Sequence, residues 1–197
     1  MKPNEHPKGL LIVLSSPSGG GKTTIAHDLL RKDKNVVRSI SCTTRQPREG
    51  ERNGRDYFFI TEARFKNMVK KKMFLEWAKV HRHYYGTPRD WVEEQIHRGK
   101  DVLFVIDVQG GKIIKRKAEE AVLVFVRPPS FTVLKERLVG RQTDDPKTIE
   151  IRLRNARGEM MEGKRYDYQV VNDRLSTAVA HIRRIIRNER EKRLKSA

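Results

Sequence analysis

Three consecutive glycines lead into Lys22 and Thr23 within Ser15-Ser-Pro-Ser-Gly-Gly-Gly-Lys-Thr-Thr24, and residues of these types in this order can build a cradle for phosphate. Gly19, Gly20 and Gly21 let the backbone turn its amides inward, Lys22 adds a full positive charge, and the Thr23 hydroxyl is a ligand for magnesium. Ser18 and Thr24 complete the loop, whose size and charge suit a nucleotide's β and γ phosphates. Ser16 stands where the pattern GxxxxGK[ST] has its first glycine, so the flanking elements must decide. The apolar run Leu10 to Leu14 reads as a buried strand, and Thr23 to Lys32 carries helix-forming residues at helical spacing. The loop therefore joins a strand to a helix, as a phosphate loop must.

A second constellation lies in Ser41-Cys-Thr-Thr-Arg45-Gln-Pro-Arg48 and continues to Tyr57. Arg45 and Arg48, with Pro47 stiffening the loop between them and Ser41 and Tyr57 supplying hydroxyls, can clamp another phosphate through charge-assisted hydrogen bonds. Arg52 and Arg55 read as solvated surface charges. Asp107 closes the apolar run Val102 to Ile106. Asp107 also suits the N-cap of a following helix.

Positioning these groups falls to an alternation of strands and helices. Apolar runs at Leu10 to Leu14, Val36 to Ile40, Val102 to Ile106, Val122 to Val126 and Tyr168 to Val171, with helical patterns between most of them, predict α/β architecture: a parallel sheet with helices on both faces. Ligands then gather at the carboxyl ends of the strands. Two stretches break the alternation. Residues 41–85 are rich in arginine and aromatics, with short strands expected at Tyr57 to Ile60 and Phe74 to Ala78 around a helix at Glu62 to Lys72, and so form an insertion with its own small sheet. Residues 141–163 begin with Arg141-Gln-Thr-Asp-Asp-Pro146 and read as a charged hairpin, largely helical, of the kind that makes a mobile lid.

At 197 residues the chain suits one domain. Its single cysteine, Cys42, rules out an intrachain disulfide and a cysteine zinc site, and only His81 and His83 lie close enough in sequence to suggest a metal pair. No apolar run has the length of a membrane span and the start of the chain lacks a signal-like apolar stretch, so no membrane partner and a cytoplasmic location are expected. The net charge of +18 attracts anions without choosing among them. Seven Lys or Arg between Leu175 and Ala197 accompany an apolar stripe of Ala178, Ile182, Ile185 and Ile186, which predicts a docked terminal helix with a solvated basic face. That segment has no aromatic residue, so specific nucleic-acid binding is not expected.

Three segments together resemble the guanylate kinase family of P-loop nucleoside monophosphate kinases: Ser18-Gly-Gly-Gly-Lys-Thr23, TTRQPREGERNGRDYFF, and FLEWAKVHRHYYGT from Phe74 to Thr87. The resemblance runs from about Lys8 to Arg187. It implies phosphoryl transfer from MgATP to GMP, in one domain with a core (residues 8–40, 86–140 and 164–197), a mixed-β GMP-binding insertion (41–85) and a helical lid (141–163). It further implies that Ser18, Gly19, Gly20, Gly21, Lys22, Thr23, Thr24, Arg137, Arg141 and Asn172 bind ATP. For GMP it implies Ser41, Arg45, Arg48, Glu51, Tyr57, Tyr85 and Asp107, with Glu76 and Thr87 reading the base. Lys22, Arg45, Arg137 and Arg152 would stabilise the transferring phosphoryl group. In the family the strand before Gln109-Gly reads DxDxQG, and here its first acidic position is Val105. Related domains that only bind partner peptides lack the ATP loop, whereas Gly21-Lys22-Thr23 is intact. Glu76 and Thr87 argue against a different phosphorylated acceptor. Whether the chain is a monomer or a homo-oligomer is not written in its residues.

Overall fold

The computed structural model describes residues 8–80, 82–140 and 145–196; Arg141, His81 and the start of the expected lid lie outside the described residues. The chain runs β1 (Leu11–Ser15), α1 (Lys22–Lys32), β2 (Val36–Arg38), β3 (Cys42–Thr43), β4 (Phe58–Phe59), α2 (Glu62–Lys70), β5 (Phe74–Val80) and β6 (His83–Pro88). It continues through α3 (Arg89–His97), β7 (Asp101–Val105), α4 (Val108–Lys117), β8 (Val122–Arg127), α5 (Phe131–Val139), α6 (Pro146–Gly163), β9 (Tyr168–Val171) and α7 (Leu175–Ser196).

Around β1 the two-residue period of a strand sorts the side chains: Leu10, Ile12 and Leu14 enter one apolar cluster, Leu11 and Val13 another. The first cluster joins the sheet to α1 and α7 through Ile25, Leu29, Ile182 and Ile186; the second joins it to α3 and α4 through Val92 and Ile114. A strand buried on both faces must be apolar throughout, which is why β1 reads as an unbroken run. The sheet has the order β2-β7-β1-β8-β9 with every neighbouring pair parallel. β1 thus lies between β7 and β8, where the strand order reverses and a crevice opens at the carboxyl ends.

The insertion forms a separate four-stranded sheet, β4-β3-β6-β5, parallel between β3 and β4 and antiparallel elsewhere. Its small core stacks Phe65 on Phe74 and Tyr84 and includes Cys42. Gly86 has no room for a side chain: a Cβ there would stand 3.0 Å from Phe74 and Trp77. β6 runs on to Pro88, so this sheet extends past residue 85 and carries Thr87 opposite Glu76.

Several expected boundaries move for identifiable reasons. β7 starts at Asp101, which alternation would leave outside a strand. Its buried carboxylate accepts from Leu10 N (2.8 Å) and from Arg190 Nε (2.6 Å), so it is a charged residue built into a strand end. Consequently the basic face of α7 is not wholly solvated: Arg190 also pairs with Asp33, and Arg193 donates to the Gly9 carbonyl. In the lid stretch the described residues form one 18-residue helix, α6. Asp145 caps it through Thr148 N with Pro146 following, and Ile149, Leu153 and Ala156 pack on Phe131, Leu134 and Leu138 of α5. No helix among the described residues is long and apolar enough to cross a membrane.

Candidate active site

The phosphate loop leaves β1 and turns into α1 on glycines that no other residue replaces cheaply. Gly19 and Gly21 hold φ of 85° and 91°, in the left-handed region, and a Cβ on Gly21 would lie 2.4 Å from Asn172 Nδ2. That amide donates to the Gly20 carbonyl at 2.9 Å, and Arg137 in turn donates to the Asn172 carbonyl at 2.9 Å. Asn172, expected to meet ATP, is buried with its side chain committed to shaping the loop, and Arg137 braces it from α5. α1 starts at Lys22, so its first amides lack helical partners and face an incoming anion, with Thr23 and Thr24 exposed in the first turn.

The parallel pairing of β1 with β7 sets Lys22 against Asp107. One cleft is lined by Lys22, Ser41, Tyr57, Glu76, Tyr85 and Asp107, together with the apolar Ala78, Val105 and Ile106. Burial pulls the Lys22 ammonium down from its usual range, and the charges of Asp107 and Glu159 oppose that shift. Asp107 Oδ1 accepts from Gly110 N at 2.8 Å, so this residue caps α4 while lining the cleft. Its carbonyl accepts from Ser15 Oγ, which accepts from the Tyr166 hydroxyl at 2.8 Å. Where the family pattern has its other acid, Val105 leaves the wall apolar.

At the far end of the cleft Glu76, only 3% exposed, accepts from Thr87 Oγ1 at 2.7 Å. The Thr87 hydroxyl directs its hydrogen at Glu76, so Ser41 Oγ, 3.1 Å away, donates to Thr87. Burial pushes the Glu76 carboxyl up to about 7; Asp107 adds to the rise, while Thr87 and Lys117 oppose it. Lys117 Nζ donates to the Leu75 carbonyl at 2.6 Å and pins β5 beside Glu76.

Arg45 and Arg48 do not line this cleft as a pair. Arg45 lies over the Tyr57 ring at 5.6 Å and donates through one nitrogen to both oxygens of Glu51, at 2.8 and 2.9 Å; Arg48 is exposed, its amide donating to Glu51. Glu51, expected among the GMP contacts, thus stands behind Arg45 and orients it, as suits a carboxylate that would repel a phosphate. Burial pushes the Tyr57 phenol up, keeping it a protonated donor beside Tyr85, whose ring is 5.9 Å away. Glu51→Gln is expected to raise KM for GMP roughly tenfold, about one charge-assisted hydrogen bond, with a smaller effect on kcat. Steady-state titration of GMP at saturating ATP checks this, and an unchanged KM would mean that Arg45 is held without Glu51.

Arg152 lies on α6, seven residues before Glu159 and so on the same helix face. Arg141 lies outside the described residues, as does the partner in the His81 and His83 pair. Among the described residues no group of three His, Cys, Asp or Glu side chains could hold a metal by itself. Asn172 as a loop brace, Lys117 and Glu159 went unseen as site residues in the sequence. The last is one of several acids on a charged helix, and no local pattern separates it from Glu150 or Glu162.

A family model for guanylate kinase matches residues 8–189. The chain is 47% identical over 185 residues to a guanylate kinase of Rickettsia felis, covering 94% of this chain and 96% of that one. It is 48% identical over 185 residues to a guanylate kinase of Thermotoga maritima, covering 94% and 89%. Among solved structures it is similar to the crystal structure of guanylate kinase from Anaplasma phagocytophilum, with a TM-score of 0.77 and 33% identity, covering 93% and 87%.

Proposed function

The chain belongs to the guanylate kinase family, and on that premise we propose how its residues carry out the reaction ATP + GMP to ADP + GDP. The observation that carries the reading is a single cleft with Lys22 of the phosphate loop at one end and the buried Glu76 and Thr87 pair at the other. Guanine presents N1–H and its exocyclic amine side by side, so a carboxylate there accepts both. Adenine would turn an acceptor toward it.

The donor lies in the loop, its β and γ phosphates against the amides from Ser18 to Thr24 and the Lys22 ammonium. The acceptor phosphate meets Ser41, Tyr57, Tyr85 and Arg45, the last presented by Glu51, with Arg48 beside it. No general base is needed, because a phosphate monoester with a second pKa of ~6 is largely dianionic near neutral pH. Catalysis is alignment of acceptor oxygen and γ phosphorus together with stabilisation of charge on the transferring group. Arg137, Arg141 and Arg152 are the cations that the lid side brings toward the phosphates. The hard oxygen of Thr23, exposed beside Lys22, would suit a magnesium ion carried in by the triphosphate. Bound there, magnesium supplies neutralisation of the β and γ oxygens. The inserted sheet, residues 41–88, serves as the acceptor module, 141–163 as the lid and the rest as the core. A soluble cytoplasmic enzyme acting on free nucleotides, without nucleic acid or membrane as partner, is the setting that this chemistry fits.

The test is ADP production with GMP, dGMP, AMP and UMP as acceptors, with magnesium and with a chelator. Turnover is expected with GMP, far less with AMP or UMP, and almost none with chelator. Equal rates with AMP and GMP would overturn the base-site assignment.

A further inference from the structure

Helix α6 sends one carboxylate into the donor half of the site. Glu159 Oε2 accepts from the backbone N–H of Ser18, a phosphate-loop residue 141 positions away, at 3.2 Å. Its charge is attracted by Lys22 and repelled by Asp107, and burial pushes its carboxyl up from the usual range. Around it α6 is fastened to the core by other contacts: Ala156 packs on Leu134 and Leu138, Glu162 pairs with Lys112 at 2.7 Å, and Gly163 lies against Phe125, where a Cβ would be 2.5 Å from the ring. Glu159 ties this helix to the loop.

We propose that Glu159 is a counter-anion of the phosphate loop which competes with the donor's terminal phosphates, so that ATP binding and release of the Glu159 carboxylate from the loop amide are one coupled step. This rests on the donor-site reading above. The groups that draw in Glu159, a loop amide and Lys22, are of the kind that hold a phosphate, and each anion lowers the affinity for the other. Two negative charges in a partly desolvated site repel strongly, and linkage makes the effect reciprocal: a donor displaces the Glu159 carboxylate from Ser18, and the carboxylate in place weakens donor binding. Glu159 is thereby a positioning residue that sets donor affinity and leaves the acceptor half untouched.

The experiment measures MgATP binding by calorimetry, without acceptor, to the wild type, Glu159→Gln and Lys22→Ala, alongside KM values for both substrates. Glutamine keeps an oxygen for the Ser18 amide and loses only the charge. The expected result is MgATP binding about fivefold tighter in Glu159→Gln, a matching fall in KM for ATP and no change in KM for GMP. Equal or weaker ATP binding in that variant overturns the proposal. Lys22→Ala separates the two readings: if it binds ATP as well as the wild type, the donor assignment itself fails. Should Glu159→Gln not fold, the carbon resonance of the Glu159 carboxyl in wild-type protein decides. It must shift on addition of MgATP, and an unmoved resonance overturns the proposal.

Discussion

Replacing Lys22 by alanine is expected to lower kcat by about a thousandfold or more and to leave the fold in place. The first half follows from where the charge stands. In phosphoryl transfer the protein contributes little covalent chemistry, so the rate depends on cations and dipoles aimed at the oxygens where charge develops. Lys22 is such a cation, partly buried at the start of α1, where water screens it less than at the surface. The second half follows from what the side chain does not do. It belongs to neither apolar cluster of the main sheet, and burial already disfavours its charged form. Removing it takes little from the core, so thermal unfolding should change by only a few degrees. Near wild-type turnover would refute the donor site, and loss of the folded state would show that the loop depends on this cation for its shape.

Replacing Glu76 by glutamine should cost about a hundredfold or more in kcat/KM for GMP and narrow the preference over AMP. A glutamine side chain offers one acceptor where the carboxylate offers two, and its amide can donate to an adenine acceptor that the carboxylate repels. Buried polar groups discriminate strongly because a mismatch leaves them unpaired with no water to take over. The titration of this group supplies a second readout. With the carboxyl pushed up to about 7 by burial, a growing share is protonated as pH falls through that value, and guanine's donors require the ionised form. In the wild type KM for GMP should therefore rise as pH drops from about 7 toward 5. The Gln variant should lack that component, and the ionisation of the GMP phosphate is common to both proteins and cancels in the comparison. Unchanged acceptor selectivity in the variant would remove Glu76 from base recognition.

Much of the donor half was legible because its signals are local. A strand buried on both faces has to be apolar throughout, a loop that aims amides inward needs glycine at positive φ, and the helix after it keeps a helical period. All three are properties of contiguous residues between Leu10 and Lys32. The pairing of Glu76 with Thr87 was accessible only through resemblance, since Glu76 alone reads as a solvent-facing strand residue. Its burial comes from the antiparallel register of β5 and β6, which sets it opposite Thr87. Glu51 could not be assigned from its neighbours alone, because a carboxylate near two arginines in sequence can either contact the ligand or brace the arginine. Only the geometry showed that Arg45 takes both its oxygens.

By itself, then, the sequence determined the parallel α/β core, the phosphate loop and the basic acceptor segment, because each is encoded by residue types at short spacing. The tertiary structure alone decided that Asn172 braces Gly20, that Asp101 and Arg190 lock α7 to the sheet, and that Glu159 reaches Ser18. Each of these joins residues 89 to 152 positions apart. Such contacts are set by strand order and helix packing, and a polar residue on a surface-like pattern carries no local mark of the distant group it will meet.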